Sequence, residues 1–184
     1  MIFRLTQKMA KKIGVTLEPA SPLDPNPYAD WCSNLFTVER LQYVILTNTA
    51  SLYSIVMYGR GVSSDRKFIQ EALTCMEEIM TIDGNASIFE HFVEPFASDE
   101  ASFCTMTDRR VMGSMNDFVF QAEYYLNHRE SSFPEISLLL NDAPMKYLKY
   151  GRPQDVLESL GKLAGKGLNV THRLSRSPAY APDH

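Results

Sequence analysis

The chain has few of the residues that usually announce a reaction. Its 184 residues include three cysteines and four histidines. Cys32, Cys75 and Cys104 are odd in number and far apart, with no Cys-x-x-Cys pair, which argues against a disulfide framework and a cysteine-based zinc site. Reduced thiols in a cytoplasm are the reading that remains. No Gly-x-Ser-x-Gly elbow, no Gly-x-x-x-x-Gly-Lys-Ser/Thr loop and no Gly-x-Gly-x-x-Gly turn occurs, so hydrolase and nucleotide folds with those signatures have no support. No apolar run approaches the ~18–20 residues that span a bilayer. The N-terminal stretch is basic but lacks an apolar core and a small-residue cleavage site, so it does not read as a secretory signal.

A net charge of −4 argues against a general nucleic-acid coat. The charge is uneven: Arg4, Lys8, Lys11 and Lys12 lie in a start without acids, whereas residues 65–100 are strongly acidic. Glu90-His91-x-x-Glu94 would set His91 and Glu94 on one helix face. A di-iron bundle needs two such motifs and further glutamates, so neither metal nor cofactor is expected.

An apolar fraction of 45% is that of an ordinary globule. One domain over residues 1–164 and a flexible C-terminal tail over 165–184 are expected, because the tail is Gly, Pro, Ser, Arg and His with little to bury. The most informative stretch is residues 31–58. Three runs rich in β-branched and aromatic residues, starting at Trp31, Leu41 and Ser51, are separated by turn-length gaps and predict an antiparallel meander. The middle run is apolar on both alternating faces, which predicts a central strand at 41–47 with layers above and below.

Around it the pattern predicts a short strand at 1–5, a helix capped by Thr6 and closed by Gly14, and an extended connector through the four prolines of 19–27 that wraps the domain. A helix capped by Ser63 or Ser64 carries the stripe Phe68, Ala72, Met76, Ile79 and Met80. A strand at 101–107, a helix over 111–126, a short helix over 133–140 and a last helix opened by Pro153 complete the reading. The fold class is α+β: a small, mostly antiparallel sheet packed with helices that lie mostly in the C-terminal half.

One segment could carry a ligand. Thr107, Arg109 and Arg110 run into Asn116 and Asp117 where a strand passes into a helix, a place with free backbone N–H donors, and two arginines there can hold phosphate or carboxylate. The plain alternative is that Asp108 caps the helix and the arginines pair with the acidic 65–100 region. Asn34, an uncommon residue within a strand, is a further candidate, and Asn48 reads as turn chemistry. Tyr43, Tyr53 and Tyr58 could stack bases, but without interleaved basic residues they read as core.

Several motifs together, Trp31-x-x-Asn34-Leu35-Phe36, Gln42-Tyr43-x-x-Leu46-Thr47-Asn48, Ser51-Leu52-Tyr53-Ser54 and Arg110-x-x-Gly113-Ser114-Met115-Asn116-Asp117, carry a resemblance. Over about residues 1–160 the chain resembles a bacterial family known only as a domain of unknown function. That resemblance implies a bacterial cytosolic origin and brings no activity, cofactor or catalytic residue. The expected function is a non-catalytic binding or regulatory domain that recognises a protein or a small anionic ligand, with no membrane attachment. Two alternatives stand beside it: an enzyme acting on an anionic substrate through 107–117, and a nucleic-acid-binding accessory protein of a mobile element.

Overall fold

The N-terminal signals act as the sequence predicts: β1 (Ile2–Leu5) leads into α1 (Gln7–Ile13), whose first turn is capped by the Thr6 hydroxyl accepting the Met9 N–H at 3.3 Å. Gly14 closes the helix at φ 74°, a left-handed position that costs glycine nothing. A computed structural model describes residues 1–97, 101–128 and 131–164, so the tail expected at 165–184 lies outside the described residues.

The meander is present as β2 (Asp30–Val38), β3 (Leu41–Asn48) and β4 (Ser54–Tyr58), all antiparallel. β2 and β3 are joined by Glu39 and Arg40, both at positive φ (47° and 68°), the two-residue turn whose twist matches the strands. The third run starts later than Ser51, because Asn48 organises a turn there: its Oδ1 accepts the Ala50 and Ser51 N–H groups at 3.1 and 3.0 Å. On the other side of β2 the sheet changes character. β1 pairs in parallel with both β2 and β5 (Ser102–Thr105), giving the mixed order β4-β3-β2-β1-β5. β3 is therefore internal and buried on both faces from Tyr43 onward, but the middle strand is β2.

The alternation of side chains divides the interior into two cores. Phe3, Leu5, Trp31, Leu35, Val44, Leu46, Ile55 and Met57 face α1 and α2 (Asp65–Ile82), with Leu157 of the last helix. Cys32, Phe36, Tyr43, Ile45 and Val56 face α4 (Arg109–His128) and α5 (Phe133–Asp142). Between α2 and β5 the chain makes the short turn α3 (Ala86–Ile88), a wide π-helical turn over Phe89–Val93 and a tight 3-10 turn over Glu94–Phe96; α6 (Pro153–Ala164) follows α5. Ser64 caps α2, and Ser132 with Glu135 forms a capping box on α5.

The proline-rich connector wraps the sheet as expected and is fastened to it by a buried ion pair. Arg4, 6% exposed, makes a two-pronged contact with Asp30, 1% exposed, at 2.7 Å on each prong. Its remaining N–H groups donate to the Ser21 and Pro22 carbonyls at 3.0 and 2.9 Å and to the Cys104 sulfur at 3.7 Å. The hydrogen bonds to Asp30 outweigh the burial and raise the Arg4 pKa, so the guanidinium stays charged. Further along the connector, the Tyr28 hydroxyl donates to the Leu157 carbonyl at 3.1 Å, and the Trp31 Nε1–H donates to the Tyr28 carbonyl at 2.8 Å.

Both sheet edges are treated. Glu18 runs beside β5, its N–H donating to Phe103 and its carbonyl accepting from Thr105. At the other edge α5 lies against β4 and supplies side chains in place of a strand. Asn141 accepts the Ser54 N–H at 2.7 Å and donates to the Ser54 carbonyl at 3.0 Å, while the Ser137 hydroxyl accepts the Val56 N–H at 3.0 Å. Residues four apart on a helix advance about 6 Å, close to the two-residue step of a strand, so the two spacings match.

Candidate functional site

The 107–117 segment does join a strand to a helix. Asp108 occupies the helix start: its carboxylate accepts the N–H groups of Arg110 and Val111 at 2.8 and 3.4 Å. Burial works against its charge, but those N–H groups and the Arg110 guanidinium outweigh it and lower its pKa. The backbone donors that would meet an anion thus already hold a carboxylate. Thr107, Arg109, Arg110, Asn116 and Asp117 are exposed, and Asn116 lies about 10 Å along the helix axis from Arg109 by the usual rise per residue. Arg110 sits 3.6 Å from Asp108 and 5.5 Å from the centre of the Tyr147 ring. Among the described residues Arg109 makes no ion pair, and neither arginine reaches the 65–100 region. Asn34, half-buried, accepts from the Thr6 hydroxyl at 3.1 Å, and among the described residues no hydrogen bond links it to Arg109 or Arg110.

A concave site lies elsewhere, at the end of the β4 edge that α5 borders without hydrogen-bonding. Its geometry follows from the β3–β4 register. Asn48 N–H donates to the Tyr53 carbonyl and Gly59 N–H to the Gln42 carbonyl, both at 2.8 Å, which makes 48/53 and 42/59 hydrogen-bonded pairs. Pairs alternate, so Ser54, Val56 and Tyr58 turn their backbone groups outward. Asn141 and Ser137 take the first two N–H groups. Among the described residues nothing takes the Val56 carbonyl or the Tyr58 N–H.

These two groups border a pocket of about 350 Å³. One wall is α2, contributing Glu71, Cys75, Glu78 and Ile79; the other is the start of α5, contributing Phe133 and Pro134; Arg60 stands where β4 ends. Glu71, Cys75 and Glu78 follow i, i+4, i+7 spacing, one line along the helix. The Tyr58 and Phe133 rings stack, with centres 6.0 Å apart and planes 19° apart. Cys75 is held as a thiol: burial first, then the charges of Glu71 and Glu78, push its pKa up to about 11. Glu71 stands four residues before the sulfur and Glu78 three after it on that line, so both carboxylates lie on its side of the helix. Neither glutamate has an ion-pair partner among the described residues.

Sequence reasoning missed this site. The line of Glu71, Cys75 and Glu78 beside the apolar stripe of α2 was a usable signal; its meeting with a strand edge was not. Two other groups of reactive residues are structural. Cys32 and Cys104 flank Arg4 on neighbouring strands, and burial, chiefly, pushes the Cys32 thiol up to about 12. His91 Nδ1 lies 2.8 Å from the Ser87 carbonyl within its own turn. Among the described residues no group of three or more His, Cys, Asp or Glu could hold a metal ion, and no helix is long and apolar enough to cross a membrane.

No curated protein matches the sequence. A family model, however, covers residues 2–156, from β1 into the first turn of α6, and so takes in the whole sheet, both cores apart from the contribution of α6, and the β4-edge pocket. The chain belongs to the family described as a domain of unknown function (DUF6933).

Proposed function

We propose that this domain is a non-catalytic recognition module of a bacterial cytoplasm, which binds an extended segment of a partner protein at the open end of the β4 edge. The observation that carries the reading is the outward Val56 carbonyl and Tyr58 N–H beside a pocket of about 350 Å³, on an edge whose other half is sealed by Asn141 and Ser137. An extended segment of two or three residues completes that ladder and sets a side chain in the pocket. The raised pKa of Cys75 favours binding over nucleophilic chemistry, and three free thiols suit a reducing compartment.

The test is amide chemical-shift mapping with blocked pentapeptides of alternating valine and threonine whose central residue is varied. Binding should move the Tyr58 amide resonance. Tyr58→Ala should weaken binding and Tyr58→Pro should abolish it, the proline variant being read at the Met57 and Gly59 amides, because proline removes the outward N–H and an edge strand tolerates proline there. If no peptide shifts Tyr58 up to about 1 mM, the weakest affinity worth the name, the reading fails.

A second reading, a small anion held at Thr107, Arg109, Arg110, Asn116 and Asp117 with Asn34 as an outlying member, is favoured by one observation. Arg110 is steadied over Tyr147 while Arg109 stands without an ion pair among the described residues. Phosphate or sulfate should then raise the melting temperature, and Arg109→Ala should remove the rise. No rise with any anion sinks it.

A further inference from the structure

Resting on the β4-edge reading, we infer that the pocket selects a basic side chain, a lysine or arginine of the bound segment, held by Glu71 and Glu78 on the α2 wall. Three observations carry this. The two carboxylates share one line of α2 with Cys75 and lie on the same wall of the pocket. Among the described residues neither is neutralised by an ion pair, although Arg60 stands on the rim. The facing wall is aromatic and apolar, with Tyr58, Phe133 and Pro134. Carboxylates set beside apolar side chains favour a cation with an alkyl stem: the stem lies on the apolar lining, which includes Met57 and Ile79, and the charged end meets the acids.

The strand edge fixes where that side chain must enter. Residues of an added strand alternate in direction, so the one opposite the Val56–Tyr58 step points toward α2 and its neighbours point away. Selection should therefore act on one position of the bound segment. An acidic residue there meets two unneutralised carboxylates and is rejected, which gives the site specificity by repulsion as well as attraction. Cys75, protonated between the two glutamates, fits as the uncharged floor beneath the cation.

The experiment measures Kd for the same pentapeptides with lysine, glutamine or glutamate at the centre, on the full chain and on Glu71→Gln/Glu78→Gln and Glu71→Lys/Glu78→Lys variants. Both glutamates are exposed, so the variants should fold as the parent does. On the parent, lysine should bind about fivefold more tightly than glutamine, the upper range for partly exposed pairs, and glutamate more weakly than either. The advantage of lysine should shrink in high salt. The Gln variant should lose the preference while still binding, and the Lys variant should prefer the glutamate peptide. If all three peptides shift Tyr58 with equal affinity and the variants change nothing, the charge selection is wrong while the edge site stands. If none binds, the edge reading itself falls.

Discussion

Removing the Asn141 carboxamide tests whether α5 stands in for a strand. Asn141 is fully buried and bonds both backbone groups of Ser54, accepting its N–H at 2.7 Å and donating to its carbonyl at 3.0 Å. Asn141→Ala leaves one donor and one acceptor buried without partners. Each such group costs about 1–3 kcal/mol, so the pair sets a range of about 2–6 kcal/mol. Water entering the vacated space relieves part of this, and about 3 kcal/mol is the expected loss. At this chain length that corresponds to a fall of roughly 6–12 °C in melting temperature. Ser137→Ala exposes only the Val56 N–H, bonded at 3.0 Å, and should cost about 1–2 kcal/mol. Urea unfolding of both single variants and the double variant measures these values. The two sites share one edge, so a coupling of about 0.5 kcal/mol or more is expected in the cycle. Asn141→Ala should also self-associate at high concentration, because an unsealed strand edge is a template for pairing. If Asn141→Ala loses less than about 1 kcal/mol with an unchanged m-value, the edge is sealed by packing alone, and the strand-substitution argument is refuted.

Leu46, on an internal strand and with no exposed surface, should not tolerate charge: Leu46→Asp should abolish the native near-UV circular dichroism signal, and a folded variant would contradict the core assignment. Arg4→Met should destabilise by about 3–5 kcal/mol because it strands the Asp30 carboxylate, and adding Asp30→Asn should recover part of that loss. The thiol shifts predict both reactivity and stability: alkylation of native Cys75 should rise about tenfold per pH unit toward about 11, and a plateau below pH 9 would be contrary. Unfolded cysteines ionise near 9 whereas Cys75 and Cys32 hold their protons to about 11 and about 12, so the folded state binds more protons in that window and stability should fall as pH rises through it.

What could be read from the sequence was whatever is written locally. Thr6 and Gly14 mark α1, Ser64 and Asp83 mark α2, the proline run marks the connector, and each acts through a backbone preference that needs no distant partner. The meander was legible because its strands are consecutive and their faces alternate. The parallel pairing of β1 was not legible: four residues carry no sign of which strands they join, and Arg4 reads as one more surface cation until Asp30 is brought beside it from 26 residues away. Asp108 at the start of α4 was anticipated as a cap, but pairing of Arg109 and Arg110 with the acidic region is not found among the described residues.

The β4 edge shows why a site can stay hidden in a readable sequence. Ser137 and Asn141 look like polar interruptions of a short apolar helix, and Glu71, Cys75 and Glu78 look like the wet side of another. Neither pattern is unusual alone. The two helices acquire meaning only when the sheet order places β4 outermost, because an edge must be covered, paired or left open. Here α5 hydrogen-bonds Ser54 and the N–H of Val56 and meets Tyr58 only through the Phe133 ring, so among the described residues the strand's edge is hydrogen-bonded along part of its length and not along the rest. A fully sealed edge would offer a partner nothing, and a fully open one would pair with any extended chain. Partial sealing confines access to one step of the ladder, and the walls of α2 and α5 at that step decide which side chain can enter.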